Sequence, residues 1–179
     1  MRLSKYGYYS DFVVYPIVIA ALAGAALYRA SWRAGAHWAG AVLVGIAAWT
    51  LLEYVLHRIA LHEIVYFVPM HALHHREPRA YVGTPTWLSL AVLSCTILLP
   101  TWGVAGFTAA SGLTAGVMTG YLWYGLVHHS IHHCRGDSIP GFLRGLRIHH
   151  MRHHYAPHRG NFGVTSALWD HALGTTIKS

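Results

Sequence analysis

Histidine clusters with a repeated spacing are the feature that most limits what this chain can fold into. Histidine accounts for 16 of the 179 residues. Ten of the sixteen fall into four tight clusters, which are His57/His62, His71/His74/His75, His128/His132 and His150/His153/His154. Since positions i, i+3 and i+4 share one face of a helix, each HxxHH cluster directs three imidazoles the same way. Neutral imidazole is a common metal ligand, so this spacing predicts a metal site built on helices.

Long apolar stretches separate these clusters and predict a membrane protein. Apolar residues make up 54% of the chain and charged residues only 11%, and an apolar run of about 18 residues is long enough to span a bilayer as a helix. We expect a single all-α membrane domain over residues 1–179, with about four transmembrane helices near 12–28, 37–56, 87–110 and 113–127. Ser111-Gly112 is the expected turn between the last two. The first run also resembles a secretory signal peptide, but it continues past Ala21-Leu22-Ala23, the alternative cleavage site.

The distribution of basic residues predicts the orientation of these spans. Only Arg29 and Arg33 fall between the first two spans, and the other basic residues lie in the N-terminal tail, in the segment 58–79 or in the C-terminal region. The positive-inside rule therefore makes the histidine side cytoplasmic. We expect the histidine boxes, residues 57–75 and 128–154, to lie on that face. This topology explains the net charge of +7, and we expect no nucleic-acid partner.

The number of histidines predicts a site with two metal ions. Zinc takes about four ligands in a structural site, so ten imidazoles favour two ions with about five ligands each. An all-nitrogen ligand set suits iron, zinc, copper or nickel, and the spacing does not choose among them. His57 and His62 would lie about 140° apart on an α-helix. We therefore expect this pair to serve two neighbouring ions or to lie at a frayed helix end.

Two carboxylates are candidates to hold the ligand histidines in place, a usual arrangement around protein metal sites. Glu53 lies one helical turn before His57, inside a predicted span, and an intramembrane carboxylate commonly has a functional role. The alternative is that the Glu53 side chain extends to the membrane surface or bonds to a neighbouring helix. Asp170, in the C-terminal region, is the second candidate.

The remaining histidines and the two cysteines do not extend this metal site. His37, His158 and His171 occupy interfacial or loop positions, whereas His129 and His133 form an i, i+4 pair and stay ambiguous. The two cysteines form no CxxC motif. The chain also lacks a GxGxxG turn after a strand and a Walker A loop, which argues against a nucleotide-binding enzyme.

The order of the four histidine boxes carries a family resemblance. The boxes read HRIALH (57–62), HALHH (71–75), HHSIHH (128–133) and HHMRHHY (149–155), followed by NFGVTSALWDHALGT (161–175). This set resembles the membrane-bound fatty acid hydroxylase superfamily, which includes sterol desaturases, over about residues 38–175. The FGVTS, WD and GT elements of the tail are especially similar to the fatty acid 2-hydroxylase branch.

The resemblance implies a non-haem diiron monooxygenase with a cytosolic helical cap. Two iron ions would use dioxygen to insert a hydroxyl group into a fatty acyl chain of a fatty acid or sphingolipid-type substrate, and purified protein can carry zinc instead. The resemblance assigns ten metal ligands and places His133 outside the set; the ten are His57, His62, His71, His74, His75, His128, His132, His150, His153 and His154.

The resemblance also implies an external source of two electrons. The chain carries no haem motif or flavin fold, and we expect no fused cytochrome b5 domain, so a separate reductase, ferredoxin or cytochrome b5-like donor is implied. A basic face suits an acidic carrier, although positive-inside topology alone also explains it; the residues of this face are Arg144, Arg147, Arg152 and Arg159.

Two departures from the family pattern leave the substrate open. Tyr124 is followed by Gly125, where the family often has an acidic residue, and the stretch between the first two boxes is shorter than in the sphingolipid enzymes. A carotenoid ring hydroxylase is one alternative, although the NFGVTSALWD tail argues against it, and a sterol or lipid desaturase is another. A membrane metal-binding protein without catalysis is the non-enzymatic alternative, and a transporter of this kind would carry ligand residues through its spans.

Overall fold

The structure, a computed structural model, describes residues 1–135, 139–156 and 160–177. The described residues are helical, apart from one isolated β-bridge between Arg2 and Val82, and they contain no strand. The α-helices are α1 (Lys5–Tyr9), α2 (Asp11–Leu27), α3 (Trp32–Val55), α4 (Val68–Arg76), α5 (Thr86–Leu93), α6 (Leu99–His133), α7 (Gly141–Tyr155) and α8 (Leu168–Ala172). Two π-helical segments, Leu56–Leu61 and Ser94–Leu98, interrupt this series. The all-α prediction is confirmed.

Three helical stretches within the described residues are long and apolar enough to cross a membrane. They are Lys5–Leu27, Trp32–Leu61 and Thr86–His133. The first two contain most of the predicted spans 12–28 and 37–56, and the third contains both 87–110 and 113–127. The turn predicted at Ser111-Gly112 is wrong, because both residues are helical. The backbone instead leaves the helix at Gly106, whose φ of 80° and ψ of 167° suit a residue without a Cβ.

The third stretch is a hairpin, as two hydrogen bonds to one carboxylate show. Thr86 Oγ1 donates to Oδ1 of Asp11 at 2.5 Å, and the Tyr121 hydroxyl donates to Oδ2 at 2.7 Å. A straight helix would place Thr86 and Tyr121 about 50 Å apart. The chain must therefore reverse between them, and Gly106 is the non-helical residue in that interval. A hairpin of two apolar arms supports four membrane crossings, which stay a prediction.

Close contact between α3 and α6 depends on glycine. A Cβ on Gly116 would lie 2.1 Å from the carbonyl oxygen of Val42, and one on Gly45 would lie 2.3 Å from that of Leu113. Such contact distances leave no room for a side chain, so the two backbones touch. Small residues allow the same close approach at many membrane helix interfaces.

The chain forms two compact units. The first contains Met1, residues 3–49 and residues 83–122, and the second contains Arg2, residues 50–82 and the described residues from Trp123 onward. All ten predicted metal ligands belong to the second unit. Its apolar core is a cluster of buried side chains from α6, α7 and the segments that follow each of them, namely Val127, Ile131, Ile139, Leu143 and Val164.

Candidate metal centre

The ten clustered histidines come together as two groups of five. Cluster A consists of His57, His62, His71, His75 and His153, and cluster B of His74, His128, His132, His150 and His154. Within each cluster, the ring nitrogens that can serve as ligands all lie within 4.8 Å of one another. Each group can therefore hold one metal ion.

Each HxxHH box divides its histidines between the two clusters. In α4, His71 and His75 belong to cluster A and His74 to cluster B, and in α7 His150 and His154 belong to cluster B and His153 to cluster A. The division follows from helix geometry, because residues i and i+4 lie only about 40° apart, whereas i+3 lies about 60° to the other side of i. The α4 box thus gives two ligands to cluster A and one to cluster B, and the α7 box gives one to cluster A and two to cluster B.

His57 and His62 share one cluster, contrary to the prediction that they would serve two ions or lie at a frayed end. The reason is the π-helix Leu56–Leu61, in which hydrogen bonds join residues i and i+5. Residues five apart are then about one turn apart and point the same way. The two rings stack with centroids 5.3 Å apart and planes at 27°. The π-helix therefore turns an unsuitable α-helical spacing into a pair for one ion.

The arrangement of nitrogens around His71 fits a shared cation. Its Nε2 lies 3.1 Å from Nε2 of His57, 3.0 Å from that of His62 and 2.9 Å from that of His75. One ring nitrogen has either a single proton or a single lone pair, so hydrogen bonds cannot satisfy three neighbours. Nitrogens about 2.1 Å from one metal ion at right angles would lie about 3 Å apart, which matches these separations.

Cluster B has the same close spacing. Nε2 of His150 lies 3.0 Å from Nε2 of His132 and 3.1 Å from that of His154. Nε2 of His74 is buried and has no hydrogen-bond partner among the described residues. A buried ring nitrogen without a partner is costly, and a metal ion would provide one.

The other ring nitrogen determines the tautomer of two ligands in cluster A. His57 Nδ1 donates to the carbonyl of Phe162 at 2.5 Å, and His153 Nδ1 donates to the carbonyl of Gly160 at 2.9 Å. Because a carbonyl only accepts, each Nδ1 must carry the proton. Each Nε2 is then left with its lone pair directed into the cluster, which is the form that a metal ion binds.

The carbonyls of Gly160 and Phe162 belong to a supporting loop, residues 160–165, that both predicted carboxylates hold. Asp170 is fully buried and accepts hydrogen bonds from Phe162 N at 2.9 Å and Gly163 N at 2.8 Å. Glu53 is 4% exposed and accepts from Val164 N at 2.6 Å and Thr165 N at 2.8 Å. The supporting loop thus connects both carboxylates to the ligands of cluster A.

These hydrogen bonds modify the expected roles of the two carboxylates. Oδ2 of Asp170 lies 3.0 Å from Nε2 of His149, a histidine that belongs to neither cluster. Burial alone would raise the pKa of Asp170, but the hydrogen bonds from His149, Gly163, Thr175 and Phe162 outweigh it and keep the pKa below its ordinary value. Asp170 and Glu53 therefore act on ligands through the supporting loop.

The sequence analysis did not assign a role to the residues that shape this loop. Asn161 has a left-handed backbone (φ 58°) and donates from its side chain to the carbonyl of His149 at 2.9 Å. Gly160 has φ 149°, and a Cβ there would lie 1.8 Å from the carbonyl oxygen of Thr175. The sequence Gly160-Asn161-Phe162-Gly163 is rich in residues that tolerate positive φ, which is the signal that could have identified it.

Four ligand imidazoles on α4 and α7 are kept neutral, namely His71, His74, His153 and His154. Burial is the main cause, and nearby histidines add to it, so the pKa of His74 falls to about 2, that of His154 to about 2 and that of His153 to about 3. The pKa of His71 is lowered as well, again chiefly by burial. Neutral imidazoles offer a lone pair at physiological pH, as metal binding requires.

The other histidines that the structure describes lie outside both clusters. His129 and His133 stack on each other with centroids 4.3 Å apart, and Tyr81 stacks on His133 at 6.1 Å. The ambiguity of this pair therefore resolves against membership of either cluster. His37 and His171 also belong to neither, and His158 lies outside the described residues together with Arg159 of the basic face.

Comparison with known proteins agrees with this geometry. A family model described as fatty acid hydroxylase matches residues 42–175, most of the chain. The chain belongs to the fatty acid hydroxylase family. The ten histidines that the family resemblance assigned as metal ligands are the ten that form clusters A and B.

Curated relatives lie in the 2-hydroxylase branch of the fatty acid hydroxylase family, as the resemblance predicted. The dihydroceramide fatty acyl 2-hydroxylase FAH2 of Arabidopsis thaliana is 30% identical, over 75% of this chain and 59% of its own length. The ceramide very long chain fatty acid hydroxylase SCS7 of Saccharomyces cerevisiae is 34% identical, over 75% of this chain and 37% of its own. The fatty acid 2-hydroxylase of Homo sapiens is 31% identical, over 76% of this chain and 39% of its own length.

A solved structure, described as full-length scs7p with only the hydroxylase domain visible, has the same fold. The TM-score is 0.77 at 26% identity, and the alignment covers 96% of this chain and 67% of that one. The chain therefore shares the fold of a visible hydroxylase domain, while it spans between 37% and 59% of the three curated relatives.

Proposed function

We propose that the protein is an oxygen-dependent lipid hydroxylase that inserts a hydroxyl group into a fatty acyl chain. The observation that carries the proposal is the pair of five-histidine clusters in a chain of the fatty acid hydroxylase family. A purely structural metal site needs about four ligands and one ion. Two adjacent clusters of five imidazole nitrogens favour a reactive dimetal centre instead.

The donor set suits two iron ions, one held by each cluster, and zinc could replace them in purified protein. Bound iron would supply the activation of dioxygen and the oxidation of an unactivated C–H bond. The chain's own residues would hold and orient this centre. Imidazoles that are largely buried exclude water, and the carbonyls of Gly160 and Phe162 orient His153 and His57 through their Nδ1 protons.

The relatives and the predicted topology support a proposal for the substrate and the partners. The names of the relatives specify fatty acyl chains of fatty acids, ceramide or dihydroceramide, and we propose an acyl lipid in the membrane as the substrate here. We place the metal centre on the cytoplasmic side, which the distribution of basic residues favours. Two electrons would come from a separate cytochrome b5-like protein, ferredoxin or reductase, and exposed Arg144 and Arg152 on α7 suit an acidic carrier.

The test is a lipid comparison in cells that express the protein together with a compatible electron donor. Mass spectrometry of membrane lipids from cells with the wild type should reveal acyl chains that are one oxygen heavier. Cells with His154→Ala should lack them. Fragmentation would locate the hydroxyl group, and chains lighter by two hydrogens would indicate desaturation.

His129→Ala is the matched control, because His129 lies in α6 beside the candidate ligand His128 but belongs to neither cluster. It should give the wild-type lipid profile. Equal profiles for wild type and His154→Ala, with folded, metal-loaded wild-type protein and active donor present, would refute the acyl-lipid hypothesis.

A further inference from the structure

A cavity of about 460 Å³ lies beside cluster B in the second unit. Its wall includes His132, a member of cluster B, together with Arg79, Arg147 and the apolar side chains of Ile131 and Met151. The cavity therefore combines basic and apolar groups and borders one candidate metal ligand.

The charge of this cavity is positive. Arg79 Nε donates to the carbonyl of His132 at 3.2 Å, and Arg147 Nη1 donates to the carbonyl of Cys134 at 3.3 Å. These bonds fix both side chains near cluster B and use one of the five N–H donors of each guanidinium. In the part of the chain that the structure describes, neither arginine pairs with a carboxylate. Glu77 also lines the cavity, but its carboxylate pairs with Arg2.

Two of the cavity residues lie close in sequence to the ends of the third apolar stretch. Arg79 comes shortly before Thr86, where the apolar stretch begins, and His132 is next to its last residue, His133. Both residues therefore lie, along the chain, at the ends of a stretch that can span a membrane. Groups at that level of a membrane protein face the lipid headgroups.

We propose that this cavity binds the anionic headgroup of a membrane lipid, a carboxylate or a phosphate, and so selects an acidic acyl lipid for the metal centre. The inference rests on the proposed lipid-hydroxylase function for the class of ligand. The guanidinium groups of Arg79 and Arg147 supply charge-assisted hydrogen bonds to the anion. Met151 packs against the first methylene groups of the acyl chain, and His132 then places those carbons close to cluster B.

The experiment measures lipid binding by the purified, metal-loaded full chain, without turnover. Native mass spectrometry in a neutral detergent would measure how much lipid the protein binds as palmitate or dipalmitoyl phosphatidic acid is added. Uncharged methyl palmitate would be titrated in the same way for comparison. We expect at least one anionic lipid to bind about tenfold more tightly than the ester, as charge-assisted hydrogen bonds imply. Preference for palmitate would identify a free acid as the ligand, and preference for phosphatidic acid a phospholipid.

Variants of one helix test the role of the arginines. Arg147→Gln should weaken binding of the preferred anion about tenfold, and Arg147→Lys should restore most of it because the charge returns. Arg79→Gln should have a similar effect. Exposed Arg144, on the same helix but outside the cavity wall, is the control, and Arg144→Gln should bind lipid like the wild type. Metal content should equal that of the wild type in every variant.

Equal affinity for methyl palmitate and both anions, or anion binding unchanged in Arg147→Gln and Arg79→Gln, would overturn the inference. Such a result would leave the proposed hydroxylase function intact, since that function is judged by oxidised lipids in cells. Conversely, arginine-dependent binding of an acidic lipid without any oxidised product would support the cavity assignment and count against the hydroxylase.

Discussion

The carboxylate of Glu53 accepts a hydrogen bond of 2.6 Å from the backbone N–H of Val164, which lies 111 residues further along the chain. Glu53 lies in the helix that leads into the π-helical segment with His57, and Val164 lies in the supporting loop whose carbonyl at Phe162 accepts from His57 Nδ1. One carboxylate thus fixes both the helix that carries a ligand and the loop that orients it.

Replacement of Glu53 should therefore release metal from cluster A. In Glu53→Ala, the N–H groups of Val164 and Thr165 lose their acceptor. Each buried group left unpaired lowers the free energy of unfolding by about 1–3 kcal/mol. We expect metal content, measured by elemental analysis, to fall by about one ion for each chain. Glu53→Gln is the matched variant, since its amide oxygen can still accept from both N–H groups, and it should keep most of the metal. Full metal content in Glu53→Ala would contradict this role.

Single ligand substitutions should distinguish the two clusters. His57→Ala removes a member of cluster A and His74→Ala a member of cluster B, so each variant should lose one ion and retain the other. A His57→Ala/His74→Ala double variant should lose both. The measurement is metal content together with the spectroscopic signal of the remaining iron, which should change from a coupled pair to a single ion. Loss of both ions from each single variant would mean that the clusters do not bind independently.

Two glycine substitutions should distinguish the contribution of the supporting loop from that of α7, the helix that precedes it. Gly160→Ala would place a Cβ 1.8 Å from the carbonyl oxygen of Thr175 at φ 149°, so the loop must move and His153 should lose its Nδ1 partner. We expect a lower melting temperature and weaker metal retention against a chelator. Gly145→Ala, in α7 with open space around the new Cβ, should instead gain about 0.5–1 kcal/mol from helix propensity. Similar behaviour of the two variants would argue against the loop's role.

The glycine contact between α3 and α6 should be equally sensitive. Gly116→Ala would bring a Cβ to 2.1 Å from the carbonyl oxygen of Val42, whereas Gly40→Ala meets nothing within 4 Å. Overpacking of a tight contact costs about 1–3 kcal/mol. Thermal unfolding in detergent should show a clear decrease in melting temperature for Gly116→Ala and little change for Gly40→Ala. An unchanged Gly116→Ala variant would show that the helices can separate without cost.

Local periodicity determined much of the fold and of the site. The apolar runs predicted the long helices, and the i, i+4 histidines of each HxxHH box share a cluster as expected. Both follow from the geometry of a single helix, which depends on neighbouring residues alone. The i+3 histidine of each box, which was expected to point the same way, belongs to the other cluster. The same logic failed at His57 and His62, because a π-helix replaced the regular turn there. It also failed at Ser111-Gly112, where both residues are helical and the backbone leaves the helix at Gly106 instead.

Tertiary structure decided which histidines share an ion and what orients them. The sequence by itself determined ten candidate ligands, an all-helical membrane protein and two candidate carboxylates. It did not determine the division into clusters A and B, nor that Glu53 and Asp170 act through residues 160–165. The clusters combine histidines from helices that are far apart in the sequence. The role of the carboxylates depends on backbone groups that meet across more than a hundred residues, such as Glu53 with Val164. A backbone N–H or carbonyl is the same at every position, so its partner becomes known only once the chain has folded.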